Sequence, residues 1–352
     1  MQIAENSQNL SLLDKPILGQ ILPSITNEKV DANIINPNEN SIQDLHQTEK
    51  PKETNDPPKT KNKYSGLIDK FVKDSDYRNI SISGINAFLH AVATITNFTA
   101  KKSTMNKFFN DAAFFCTRWV APLISYGTAA WTAFENKRGV EGLIKIIPPA
   151  FLPTVGDANI DAVFGFSTGL NQPYDMVMSR LKEKAKTDSS LAEKLQKGNS
   201  SFGENISMIT NEFKNMLSDF AKGKMKFWEG GIYMINCAMI LAGSLPMMLF
   251  ARQDRNSTFA KGLGFLRNIG GILGDIGLVF GSESKSLYKF VIGVMCSMAA
   301  VADIAKRWVN DDVAKILIHL GAALNVSAYA IWNAFNSKAA AEQKMDNPVL
   351  VS

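Results

Sequence analysis

The chain has 352 residues, 38 Lys and Arg against 33 Asp and Glu, 45% apolar and 20% charged positions. That apolar content excludes a wholly disordered polypeptide. The small basic excess sits in short groups beside apolar segments, not on one strip interleaved with aromatics, which argues against a nucleic-acid partner.

In chain order, residues 1–63 come first, with no Phe, Tyr or Trp and six of the 13 prolines. So little apolar surface cannot offset the entropy of ordering, and the stretch reads as a disordered polar tail. It has no basic start followed by an apolar core, since Glu5, Asp14 and Lys15 punctuate it, and so does not read as a cleavable signal. Residues 64–170 read as a first membrane-associated helical region. Within it, segment 112–134 is long enough to span but contains Pro122 and Arg118, a cation expected to snorkel toward one face. Beyond it, Pro148, Pro149, Pro153, Gly156, Gly165 and Gly169 are expected to break any helix over 143–170.

Residues 171–226 change texture and read as a soluble amphipathic segment. Ser190 with Glu193, and Ser201 with Glu204, have capping-box spacing. After the second, Ile206, Ile209, Phe213, Met216, Leu217 and Phe220 recur on one helical face, either a packed seam or a membrane-surface helix.

Residues 227–340 form the main transmembrane region. The clearest span is 230–251, 22 residues without a formal charge and edged by Trp228 and basic residues, enough to cross a core of ~30 Å. Segments 264–281, 286–302 and 316–335 follow, the first two marginal in length or charge, with 303–315 read as a polar connector. Gly270 with Gly274, and Gly277 with Gly281, are small-xxx-small pairs that favour tight helix packing or a homo-oligomer. Residues 341–352 read as a disordered C-terminus. No period-two alternation marks a sheet. The expectation is therefore all-α: a helical multi-pass membrane protein of about four spans with a disordered polar N-terminal tail.

Chemistry is sparse. Cys116, Cys237 and Cys296 lie in separate apolar segments, and His46, His90 and His319 have no partner at useful spacing. No metal, no cofactor and no catalytic residue is expected. The polar residues that stand out within apolar segments are Asp275, Arg267, His319, Asn236 and Arg118. Asp275 lies two turns beyond Arg267, a spacing that allows a pair, although a short interfacial segment would leave Asp275 wet. A repeat is also suggested, since Lys107-Phe108-Phe109 and Gly156-Asp157 echo Lys226-Phe227-Trp228 and Gly274-Asp275.

The first functional expectation is a non-enzymatic integral membrane protein that organises or shapes a membrane or scaffolds partners, its partner being the lipid bilayer. The alternatives are a transporter or channel, which requires Asp275, Arg267, His319 and Asn236 to face one cavity, a secreted pore-former, and a soluble helical protein. A bacterial inner membrane is the default location.

Overall fold

The computed structural model describes residues 67, 70–72, 74–197, 201–281 and 287–346. The tail 1–63, the connector 282–286 and residues 347–352 lie outside them. Among the described residues every regular element is helical.

The first helix, α1 (Ser75–Thr99), starts where the Asp74 carboxylate accepts from the amides of Asp76 and Tyr77, both at 3.0 Å. A short turn leads to α2 (Thr104–Phe115), capped by Ser103. Two π turns, Cys116–Val120 and Leu123–Gly127, carry this helix past Pro122 into α3 (Thr128–Glu135) without a break. Short α4 (Gly139–Ile146) and the 3-10 turns Pro148–Thr154 and Asp157–Asn159 then lead into α5 (Ile160–Ala185).

Here the structure corrects the expected helix break. Gly165 and Gly169 lie inside α5, where they admit a neighbour: a Cβ at Gly165 would lie 2.5 Å from Ser244 Oγ, and one at Gly169 2.5 Å from Leu241. The break is confined to the prolines and the extended Gly156, all before Asp157.

Next come α6 (Ser189–Lys197) and α7 (Phe202–Ala221). Ser201 and Glu204 form the full reciprocal capping box of α7. At α6 the cap comes instead from Asp188, which accepts from the Leu191 amide at 3.1 Å. A π turn, Phe227–Gly231, opens α8 (Ile232–Phe250), followed by α9 (Thr258–Gly281), α10 (Leu287–Ala305) and α11 (Asp311–Asp346).

Four helices are long and apolar enough to cross a membrane: α8, α9, α10 and the Asp311–Phe335 part of α11. They pack in sequence, α8 on α9, α9 on α10 and α10 on α11, with α5 against α8 and α1 along α11. This is the architecture of an integral membrane protein. The α9 glycines form one stripe against α8: a Cβ at Gly270 would meet Met239 at 2.8 Å, at Gly277 Ile232 at 2.9 Å, and at Gly281 the Trp228 carbonyl, while Gly274 is buried beside them. The stripe is used within the chain, which leaves it no surface to offer a second copy.

The partition of side chains is inverted relative to a water-soluble domain. Ile85, Phe88, Ile95 and Phe98 of α1, Phe115, Trp119, Leu123 and Trp131 of the π-interrupted helix, and Phe290, Met298 and Val301 of α10 face outward, while Asn79, Ser83, Asn86, His90, Asn236, Arg267, Asn268, Asp275 and His319 are buried. Exposed apolar area on this scale needs a hydrocarbon solvent.

The suggested repeat has no counterpart in the elements. Both aromatic pairs stack edge to face, at 5.3 Å and 5.1 Å, but Asp157 lies in a 3-10 turn before a helix whereas Asp275 lies within α9.

Candidate functional site

The site begins with a stripe on α1. Asn79, Ser83, Asn86 and His90 recur every three or four residues, Asn97 follows two turns further on, and all are buried. They face the antiparallel helix beyond the Ser103 turn, rung by rung. Ser125 donates to Asn79 at 3.2 Å, Thr117 to Asn86 at 3.0 Å, and Asn97 to Asn110 at 2.8 Å. From Asn79 to Asn97 this column runs about 27 Å at 1.5 Å per residue, close to the ~30 Å of a bilayer core.

In the middle of the column the two buried histidines meet, His90 Nδ1 lying 2.9 Å from His319 Nδ1 and His90 Nε2 2.8 Å from Thr117 Oγ1. They were expected to lack partners. They are 229 positions apart, so no local spacing could have paired them. The protons of this chain can be counted. The single hydroxyl proton of Thr117 goes to Asn86 Oδ1, so Thr117 accepts from His90 Nε2–H. A neutral His90 then has a bare Nδ1, and His319 Nδ1–H must donate to it. That leaves His319 Nε2 as a buried acceptor with no hydrogen-bond partner among the described residues. Thr117 is brought to this position by a π turn, a local irregularity often found where function requires a side chain off the regular spiral.

A second group closes one end of the bundle. Arg267, fully buried in α9, is paired with Asp161 at the start of α5 and with Asp303 in α10. Lys306 binds Asp303 and, at 3.1 Å, Asp161. Arg307 donates to Asn159 at 2.9 Å, and Asn268 to Asp303. Three cations thus surround two carboxylates, Asp303 buried and Asp161 partly exposed. Such a cluster holds only while every partner is present. Asn159 also donates to the carbonyls of Ala251 and Asp254, at 2.8 and 3.0 Å, which ties the α8–α9 turn to the cluster.

A cavity of about 50 Å³ is lined from both groups, by His90, Thr117 and Phe114 and by Asp157, Asp161, Asp303 and Lys306. That is room for about three or four waters. It is far below the ~300 Å³ of a pocket for an organic ligand.

The residues singled out in the sequence are distributed as follows. Arg267 pairs with Asp161 and Asp303, not with Asp275. Asp275 is 3% exposed, not wet, and accepts from Ser297 at 3.2 Å. Asn236 bonds Gln172 of α5 at 3.5 Å, and Arg118 is paired with Asp157 at 2.5 Å while donating to the Leu152 carbonyl at 2.5 Å. Asp275, Arg267, His319 and Asn236 therefore do not line one cavity. On α7, Met216 is fully buried and packs with Ile209, Phe213, Val177, Leu181 and Met234, whereas Ile206 and Leu217 stay exposed. The seam is a packed one.

Asp161 falls in the expected helix break over 143–170, and Asp303, Lys306 and Arg307 in the polar connector 303–315. Their signal was present: Asp303, Lys306 and Arg307 stand at i, i+3 and i+4, which puts them on one helical face. No protein-family model, curated protein or solved structure matches the chain.

Proposed function

We propose that this is a non-enzymatic membrane protein that passes protons through its interior, a transport function in which, of the four residues first expected to line a path, His319 takes part together with His90 and Thr117. The observation that carries this reading is the small cavity between the His90–His319 pair and the Asp161–Asp303–Lys306 cluster, set on a polar column nearly as long as a bilayer is thick. A passive anchor has no use for such an interior, because polar groups and ion clusters buried in lipid cost stability relative to apolar packing. The cavity size favours water and protons over organic solutes. One proton is handed on at each step: a proton arrives on His319 Nε2, the Nδ1 proton of His319 crosses to His90 Nδ1, the Thr117 hydroxyl turns from Asn86 Oδ1 to a water in the cavity and releases its proton there, and the Nε2 proton of His90 replaces it on Thr117 Oγ1. The chain is then reset by rotation of the Thr117 hydroxyl and return of the imidazole tautomers.

The test is proton uptake by liposomes loaded with a pH dye and driven by a potassium diffusion potential. Wild-type protein should acidify the lumen, and His319→Phe should abolish uptake while remaining folded and inserted. Absence of uptake by the inserted wild type would sink the proposal.

Membrane shaping or scaffolding is a second reading, supported by the exposed Phe202, Ile206 and Leu217 on α7 and Phe227 and Trp228 beyond it. It predicts that Ile206→Asp with Leu217→Asp removes vesicle deformation. Ile209 and Phe213 do not serve this test, since they pack inside.

A further inference from the structure

A second cavity lies along α10 and shares Leu317 with the first. It is a groove of about 540 Å³, walled by Ile276, Val279 and Phe280 of α9 and by Leu317 and Leu320 of α11. Its floor runs from Phe290 to Ala305, about 22 Å at 1.5 Å per residue, which gives a mean section of about 25 Å². A single hydrocarbon chain fits a groove of this section. Gly293 lets α10 seat closely on α9, since a Cβ there would lie 2.7 Å from Val279.

All the lining is apolar except Asp275 and Ser297, which face each other across the α9–α10 contact. The Asp275 side chain is buried, one of its oxygens accepts from Ser297, and the other, Oδ1, has no partner among the described residues. A bare carboxyl oxygen in hydrocarbon costs several kcal/mol in principle, and bulk lipid tails supply nothing to satisfy it. Asp275 is six residues before the end of α9, about 9 Å along the helix.

We infer that this groove binds a single-chain lipid carrying a hydroxyl, whose O–H donates to Asp275 Oδ1 and whose tail lies along Val294, Met298 and Val301 toward Ala305. The site is independent of proton passage and stands whether or not the chain conducts.

The experiment is photocrosslinking of purified full-length protein in nanodiscs with dodecanol bearing a diazirine at the chain end, beside its methyl ether, which has the same chain and no donor. The alcohol should label the α10 segment near Val301 and Ala305 about five- to tenfold more than the ether, the effect of one buried hydrogen bond. In Asp275→Leu the alcohol should fall to the level of the ether, Asp275→Asn, which keeps an acceptor oxygen, should retain the preference, and Met298→Trp should block both probes by filling the groove. Equal labelling by alcohol and ether in the wild type would mean annular lipid only and would overturn the inference. So would an undiminished preference in Asp275→Leu. Should Asp275→Leu fail to fold, Met298→Trp and the alcohol-to-ether ratio of the wild type decide the matter.

Discussion

Two regions of this chain solve the packing problem in opposite ways. The lobe formed by the C-terminal half of α5 with α6 and α7 buries Val177, Leu181 and Met216 and, of its charged groups, Glu212, which Arg180 reaches from the partly exposed rim at 2.8 Å while binding Asp219 at 2.5 Å. The helical body buries Arg267, Asp303 and a His pair and turns Phe88, Trp119 and Val301 outward. The same twenty side chains and the same backbone rules operate in both. What differs is the medium on the outside, since apolar burial stabilises only against water, and in hydrocarbon the association energy comes from close packing and hydrogen bonds between helices.

Breaking the contrast should be most costly inside the body. Arg267→Met leaves Asp161 and Asp303 without their central cation and should lose about 3–5 kcal/mol, read as a fall in thermal stability in nanodiscs. Met216→Ala in the lobe should cost about 2–5 kcal/mol by opening a cavity, but hydrogen exchange should rise only in α5, α6 and α7, with the body protected as before. On the outer surfaces the two regions should diverge. Phe88→Asp faces lipid and should cost about 2.5–3.5 kcal/mol if it lies near mid-membrane, measured as lost membrane insertion, whereas Ile206→Asp on the lobe should stay within about 0.5 kcal/mol.

Acid sharpens the same boundary. Burial raises the Glu212 carboxyl, but bonds from Lys184 and Arg180 outweigh it and hold the group below its ordinary range; Asp219 is held down by Arg180. Both therefore bind protons less readily folded than unfolded. Their stabilisation is present above the ordinary carboxylate pKa, near ~4, and is lost as pH falls through the lowered folded values. Amide exchange in the lobe should rise over that interval, and Arg180→Ala should move the rise to higher pH.

The all-helical class and a set of about four spans could be read from the sequence because uncharged runs such as 230–251 fix both length and solvent. The capping box at Ser201 was equally local. The site was not. His90 and His319 come from the first and last helices of the chain, and Asp161, Arg267 and Lys306 from three elements. Periodicity places a residue on a face but does not say which face it meets. Hydropathy also misled over α1, because a helix that turns its polar stripe inward scores as unremarkable, although the spacing of Asn79, Ser83, Asn86 and His90 was there to be read.

The helix that faces α1 follows an arithmetic of its own. Ala113, Thr117, Ala121, Ser125, Ala129 and Ala133 are all buried, one at every fourth position. On a regular α-helix at about 100° per residue, each such step overshoots a full circle by about 40°, and five steps would swing the last residue about 200° away from the first. The two π turns each take in one extra residue, which returns about 100° apiece and cancels the drift. A strict repeat of four small residues is thus a written instruction for two wide turns, and removing one residue from either should rotate the remainder of the helix out of line with its partner.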